Sequence, residues 1–469
     1  MVGSVFRRNK SVSMALSAMG VGLLALLLLA KGSSLIASLV LFAIAIGLLV
    51  YALIVAPEDA RSTVLLLTLL SLAFFVRSIP AVYGPLADVG MDELMVRPFL
   101  SGDNIYVVTH NLYPYTTLWL YIVTPLFKLS EWAHLSPGFV VKSFLALVDA
   151  GITALLFWGT LRRTGGRTRA FLVGLAYALN PVSVMITGFH GNRVSLAVLF
   201  VLAAYCVLAF VQEGGHLQLS ALLLGLGIAL RGDPILLLPI FAWKAGASCR
   251  RKIEYALLAV LPTALLLVPF LVATPTAVRR EIFGYSGVTD FGYASVLRSW
   301  TYYQMYSGRD LPNAAWVKSH LADIDWMRTV FASSFMRFLT RNSKAVFLIC
   351  WAVSALWAVI KRVNLLDSVL VVYLMFYFLY HGISAQYLLW VLPFALMLRN
   401  PMVWPYTILA SMAMVGFYLS YWPEFLLVRR PLHSLETMSI YTFSNLLLWV
   451  YNGMWLGLRL VRPQSKGQL

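Results

Sequence analysis

A chain of 469 residues with 60% hydrophobic and 12% charged side chains, and a mean hydropathy of +0.81, has too little polar surface to cover its apolar mass in water. That excludes a water-soluble globule and leaves an all-α polytopic membrane protein. The net charge of +17 fits basic loops that meet anionic headgroups and implies no nucleic acid. Cys206, Cys249 and Cys350 lie in or beside apolar segments, so neither a disulfide framework nor a metal knuckle is suggested.

A membrane span needs about 17–25 mostly apolar residues. The first such segment, 13–31, follows Arg7, Arg8 and Lys10 as a signal peptide would, but it lacks a convincing cleavage site and a second span follows at once. A retained helix is expected there. Further helices are expected at 34–56, 62–79, 138–160, 168–188, 194–212, 218–230, 233–247, 253–274, 345–360, 365–381, 385–399, 402–421 and 441–460. The short loops that hold Arg162, Arg163, Arg167 and Arg169, then Lys244, Arg250, Arg251 and Lys252, then Lys361 and Arg362, fall on the side of Arg7, Arg8, Arg462 and Lys466. By the positive-inside rule both termini are cytoplasmic. The opposite side carries two long segments, 80–137 and 275–344, expected to be external loops with juxtamembrane helices. Arg429 and Arg430 also land there, against the rule.

The polar residues sort onto that same external side. The fifth helix ends abruptly at His190-Gly191-Asn192-Arg193, and polar groups at such a position are costly without a partner. Asp88, Asp92, Glu93 and Asp103 lie in the first long segment, Arg231-Gly232-Asp233-Pro234 in an outer turn, Asp290 in the second long segment, and His381, Gln386 and Tyr387 at another outer turn. Their convergence implies a cleft roofed by 80–137 and 275–344. Asp149 lies mid-helix, so its carboxylate is read as structural, paired with Lys142 about two turns away or with a neighbouring helix.

Between Asp88 and Pro393 a series of motifs carries a resemblance. Asp88, then Phe99-Leu100-Ser101-Gly102-Asp103-Asn104-Ile105-Tyr106, then Tyr113-Pro114-Tyr115-Thr116-Thr117-Leu118-Trp119 resembles the first external loop of the GT-C superfold of integral membrane glycosyltransferases. Lys142 to Asp149 is similar to the Lys-to-Asp pattern of the following helix, and Asn180-Pro181 to His190-Gly191-Asn192 is similar to the Asn-Pro to His-Gly-Asn signature. Gly225-Leu226-Gly227 to Arg231, Leu238-Pro239 and Gln386-Tyr387-Leu388-Leu389-Trp390-Val391-Leu392-Pro393 resemble later landmarks of the mannosyltransferase-like branch. Two positions depart: Val194 stands where the family often has Asp, and Pro114-Tyr115 where it often has Pro-Pro.

The resemblance implies a GT-C helix bundle that moves a hexose, mannose in that branch, from a polyprenyl phosphate to a lipid-linked or glycan acceptor, without metal or cofactor. It places the catalytic carboxylate at Asp88, with Asp92 as second candidate; capping of a juxtamembrane helix is the alternative use of either. Arg193, Arg231 and Arg298 are candidates for the departing phosphate, since a guanidinium grips phosphate in a bidentate way; snorkelling to headgroups is the alternative. His190 and Asn192 are candidates for sugar or phosphate, and Gln386 and Tyr387 likewise, with an interfacial anchor as the other reading of the tyrosine. Trp300, Tyr302, Tyr303 and Tyr306 are read as packing or as a stacking platform. A transporter or lipid flippase, and a non-catalytic relative that binds lipid-linked glycan, are the competing functions. The host membrane is the plasma membrane in a prokaryote or the endoplasmic reticulum in a eukaryote.

Overall fold

The computed structural model describes residues 2–84, 87–109, 113–285, 287–297, 334–421 and 435–462. They form an all-α polytopic membrane protein, with no strand among the described residues beyond a single bridge between Phe291 and Ile383. The chain divides into two compact units, Met1–Gly232 with Ala259–Glu281, and Asp233–Leu258 with Ile282–Leu469.

In the first unit the helices are α1 (Val2–Ala30), α2 (Leu35–Val55), α3 (Arg61–Tyr83), α4 (Ala87–Leu100), α5 (Ile105–Val108), α6 (Leu118–Ala133), α7 (Pro137–Thr164), α8 (Arg167–Ala178), α9 (Pro181–Ser183), α10 (Val194–Phe210) and α11 (His216–Leu230). α1 pairs with α2, and α3 packs on α7, which also carries α8 and α10. The ends are written in the sequence. Ser136 caps α7 through its side chain on the Phe139 amide, Pro137 supplies a pre-set first turn, and Gly165 closes the helix in the left-handed region.

The second unit holds α12 (Leu238–Lys244), α15 (Ser334–Ile360), α16 (Leu365–Leu379), α17 (Val391–Met397), α18 (Val403–Tyr421) and α19 (Leu435–Val461); α13 (Cys249–Ala273) and α14 (Pro275–Val278) precede α15 in the chain. α16 is its centre, buried on every side from Leu365 to Tyr377 and packed against α15 and α19. The carboxylate of Asp367 in its first turn, fully buried, meets Arg459 Nη1 at 3.3 Å, which answers its charge.

Every segment expected to be apolar and helical is helical, but not every one is a span. Six helices among the described residues are long and apolar enough to cross a membrane. The expected span 168–188 is instead a bent pair, α8 followed by α9 and a π-helical turn Val184–His190, turned by 42°. Asn180-Pro181 causes the break: proline lacks the amide that would continue the α8 ladder, and the Asn180 side chain accepts from Val182 to start the next helix. The expected spans 233–247 and 385–399 are each a five-residue 3₁₀ turn leading into a seven-residue helix, α12 and α17.

Candidate functional site

The site in the first unit is built on that break. The last carbonyls of α8 lie beyond its i→i+4 ladder, and Arg77 of α3 reaches two of them: Nη1 donates to the Ala178 carbonyl at 2.7 Å and Nη2 to that of Tyr177, which also accepts from the Asn180 amide, at 3.0 Å. The remaining donors go to the Ala73 carbonyl at 2.9 Å, to Ser183 Oγ, and from Nε to Asp149 Oδ2 at 2.5 Å. Tyr177 Oη donates to Asp149 Oδ1 at 2.8 Å. The cation that answers Asp149 is Arg77 from a neighbouring helix rather than Lys142. A guanidinium's fixed fork can satisfy two helix-end carbonyls and a carboxylate at once; the compact ammonium of a lysine cannot.

Held at that end, the chain runs through the π-turn with Gly188 pressed on α3. A β-carbon there would lie 2.6 Å from the Arg77 carbonyl, so only glycine permits the approach. The turn closes at Gly191, in the left-handed region at φ 76°, and the next residues start α10: Asn192 Oδ1 accepts from the Val194 amide at 2.9 Å. His190, Asn192 and Arg193 are thereby aimed at α4. His190 Nε2 lies 3.2 Å from Asp88 Oδ1, Asn192 Nδ2 donates to Asp88 Oδ2, and Arg193 Nη1 donates to Asp92 Oδ1 at 2.8 Å. Asp88 and Asp92 stand one helical turn apart and share this one stretch of chain.

The two carboxylates differ in kind. The side chain of Asp88 is 38% exposed and that of Asp92 4%. Burial works to raise the Asp88 carboxyl, but His190, Arg193 and Asn192 together more than reverse it and hold it at about 2. Burial pushes the Asp92 carboxyl up to about 6, with Asp88 adding to the rise and Arg193 opposing it. Asp88 is the charged, reachable acid; Asp92 is the enclosed partner of a guanidinium. Because Asp92 takes up a proton on folding between the ordinary carboxylate value and about 6, the fold gains stability as pH falls through that window, on the order of 2 kcal/mol. Asp88 acts with the opposite sign, and only below that window. Thermal unfolding in detergent from about pH 6.5 to about 4.5 is expected to show this slope in the wild type and to lose it in Asp92→Asn.

An aromatic wall faces Arg193, whose guanidinium carbon lies 4.1 Å from the Tyr115 ring centre, 5.6 Å from that of Trp119 and 5.9 Å from that of Tyr113. Arg231, buried at the end of α11, approaches the same Tyr115 ring at 5.8 Å. Arg231 is 1% exposed and the Arg193 side chain 12%, so protein surrounds most of each. The Nε of Arg193 makes no hydrogen bond among the described residues. The wall is fixed from behind by Tyr106 Oη on the Tyr115 carbonyl at 2.9 Å, Thr116 Oγ1 on the Ala229 carbonyl at 2.6 Å, and buried Glu281, whose Oε2 accepts from the Tyr113 amide at 3.3 Å.

Lys142 sits under this site and away from Asp149. A β-carbon at Gly84 would lie 2.9 Å from its Nζ, and one at Gly191 3.0 Å from its Cγ and Cε, with the charge of Asp88 acting on it. Arg298 and the aromatics Trp300, Tyr302, Tyr303 and Tyr306 lie outside the described residues, as do Arg429 and Arg430. Gln386 and Tyr387 belong to the second unit, in the 3₁₀ turn Ala385–Leu389. Gln386 is half-buried, and Tyr387 packs its ring against Trp390 at 4.5 Å and Phe376 at 5.3 Å. His381 Nδ1 shares a hydrogen bond with Ser343 Oγ, and burial with Lys344 nearby pushes its imidazole down to about 4.

The reading from sequence missed Arg77, hidden in an apolar helix, and Glu281, hidden among loop arginines. An intramembrane arginine is itself a signal, because such a charge needs a named partner. Against this geometry, no protein-family model and no curated protein sequence matches the chain.

Proposed function

We propose that the first unit carries the catalytic centre of a GT-C-type glycosyltransferase, which moves a hexose from a polyprenyl phosphate to an acceptor hydroxyl at the external face, with both termini cytoplasmic. One observation supports this most: the reachable carboxylate of Asp88 is held by His190 and Asn192 next to Arg193, a mostly enclosed arginine whose Nε–H makes no hydrogen bond among the described residues. In the reaction the acceptor oxygen attacks the anomeric carbon while the bond from that carbon to the phosphate oxygen breaks. The bonding pair leaves with the polyprenyl phosphate, and Asp88 takes the hydroxyl proton. A carboxylate held near 2 is fully charged at neutral pH but weakly basic, so it accepts the proton late, once bond formation has made the hydroxyl acidic. Arg193 meets the departing phosphate charge, stiffened by Tyr115 and Asp92, and Arg231 supports it from the other approach to Tyr115.

The bent pair α8–α9 gives the flippase reading its own support, since transporters place sites at broken helices. Transfer decides between the two. Protein reconstituted in vesicles, supplied with radiolabelled polyprenyl-phosphomannose or the glucose and galactose equivalents and with a glycolipid extract, is expected to label an acceptor from one of these donors. Movement of the donor across the bilayer with no new glycosidic bond would favour the flippase instead.

A further inference from the structure

The second unit contains a cavity of about 470 Å³ that no residue assigned to sugar transfer lines. Phe338 and Val346 of α15, Phe378 and Leu379 of α16, and Leu446 and Trp449 of α19 form most of its wall. Three polar side chains on that wall each make a hydrogen bond within the protein. Asn342 Nδ2 donates to the Phe338 carbonyl at 2.7 Å, the Trp449 indole to the Phe378 carbonyl at 2.9 Å, and Ser343 bonds to His381. Water would find few partners there, so the space suits hydrocarbon.

The wall continues into an exposed apolar surface. Phe338, Asn342 and Val346 recur every fourth residue, and the same face of α15 goes on through Ile349, Val353, Leu356 and Ile360, each at least 60% exposed. This stripe runs the length of the candidate span Arg341–Ile360, whose length and composition suit contact with acyl chains. Arg341, next to Asn342 in α15, is exposed and offers a cation for the phosphate of such a lipid. At about 30 Å³ for each water-sized group, the volume holds roughly fifteen methylenes. We propose that the cavity is a binding site for one acyl chain of a membrane glycerophospholipid, laid along α15 with its phosphate at Arg341.

This inference does not rest on glycosyl transfer. The test uses the wild-type protein in vesicles that contain a phosphatidylglycerol with a diazirine in one acyl chain, irradiated and mapped by peptide mass spectrometry. Label is expected in peptides containing Phe338–Val346 and Leu446–Trp449, and unlabelled phosphatidylglycerol is expected to compete it away. Val346→Trp and Leu446→Trp, which fill the cavity, are expected to lower this label at least fivefold, while Leu356→Trp, farther along the same stripe, leaves it unchanged. Label spread evenly along α15, or a cavity label displaced by polyprenyl phosphate but not by phosphatidylglycerol, would overturn the proposal. If both filling variants fail to fold, the wild-type distribution and its competition decide.

Discussion

Replacing Asp88 with Asn is expected to lower hexose transfer by about 10²–10⁴-fold, the range for removal of a general base. The amide keeps the shape and the proximity to His190 and Asn192 but cannot take the acceptor proton. Donor binding should persist, because Arg193 and its contacts to Asp92 and Tyr115 are untouched. The measurement is paired: initial rate of transfer, and retention of polyprenyl phosphate by native mass spectrometry, on the same preparation. A variant that binds donor and still transfers at the wild-type rate would remove Asp88 from the chemistry. Asp92→Asn should behave differently, weakening donor binding through Arg193 before it touches the chemical step.

The second large effect is on the fold. Arg77→Leu alone, or Asp149→Leu alone, leaves one fully buried charge without its partner, which is expected to destabilise by about 3–5 kcal/mol. The losses are not equivalent. Removing Arg77 also strips hydrogen bonds from the Tyr177 and Ala178 carbonyls, so the end of α8 opens. The double variant Arg77→Leu/Asp149→Leu removes both charges and should recover part of the loss, but not the two carbonyl bonds. Thermal unfolding in detergent should therefore rank the wild type above the double variant and the double variant above Arg77→Leu. Transfer should fall in the double variant even where the protein is folded, because His190, Asn192 and Arg193 hang from the turn that Arg77 pins. Full recovery of both stability and transfer would show that the bend does not position the site.

The helices are legible in the sequence because lipid imposes long apolar runs, and the polar interruption at His190-Gly191-Asn192-Arg193 is legible because lipid makes polarity costly. Pairwise partnership is not. Asp88 and Asn192 are 104 positions apart, and nothing in spacing alone says that a π-turn and a left-handed glycine rotate His190, Asn192 and Arg193 toward α4. The same limit explains Asp149. Lys142 is near it along one helix, whereas Arg77 is near it only after α3 has packed on α7. Proline and glycine look like punctuation in a sequence, but at Asn180-Pro181 and Gly188 they set the bend and the close approach to α3 on which the geometry depends. The short pieces at 233–244 and 385–397 look like spans by composition, but their prolines and 3₁₀ turns make them too short.

The most direct measurement is a cryo-EM structure of Asp88→Asn with a polyprenyl-phospho-hexose bound, since that variant should hold the donor without consuming it. The phosphate is expected within hydrogen-bond reach of the Arg193 guanidinium, at about 3 Å, with the sugar toward His190 and the substituted amide on α4. A donor phosphate held away from Arg193, with the cluster around His190 and Asn192 unchanged and unoccupied, would contradict the assignment.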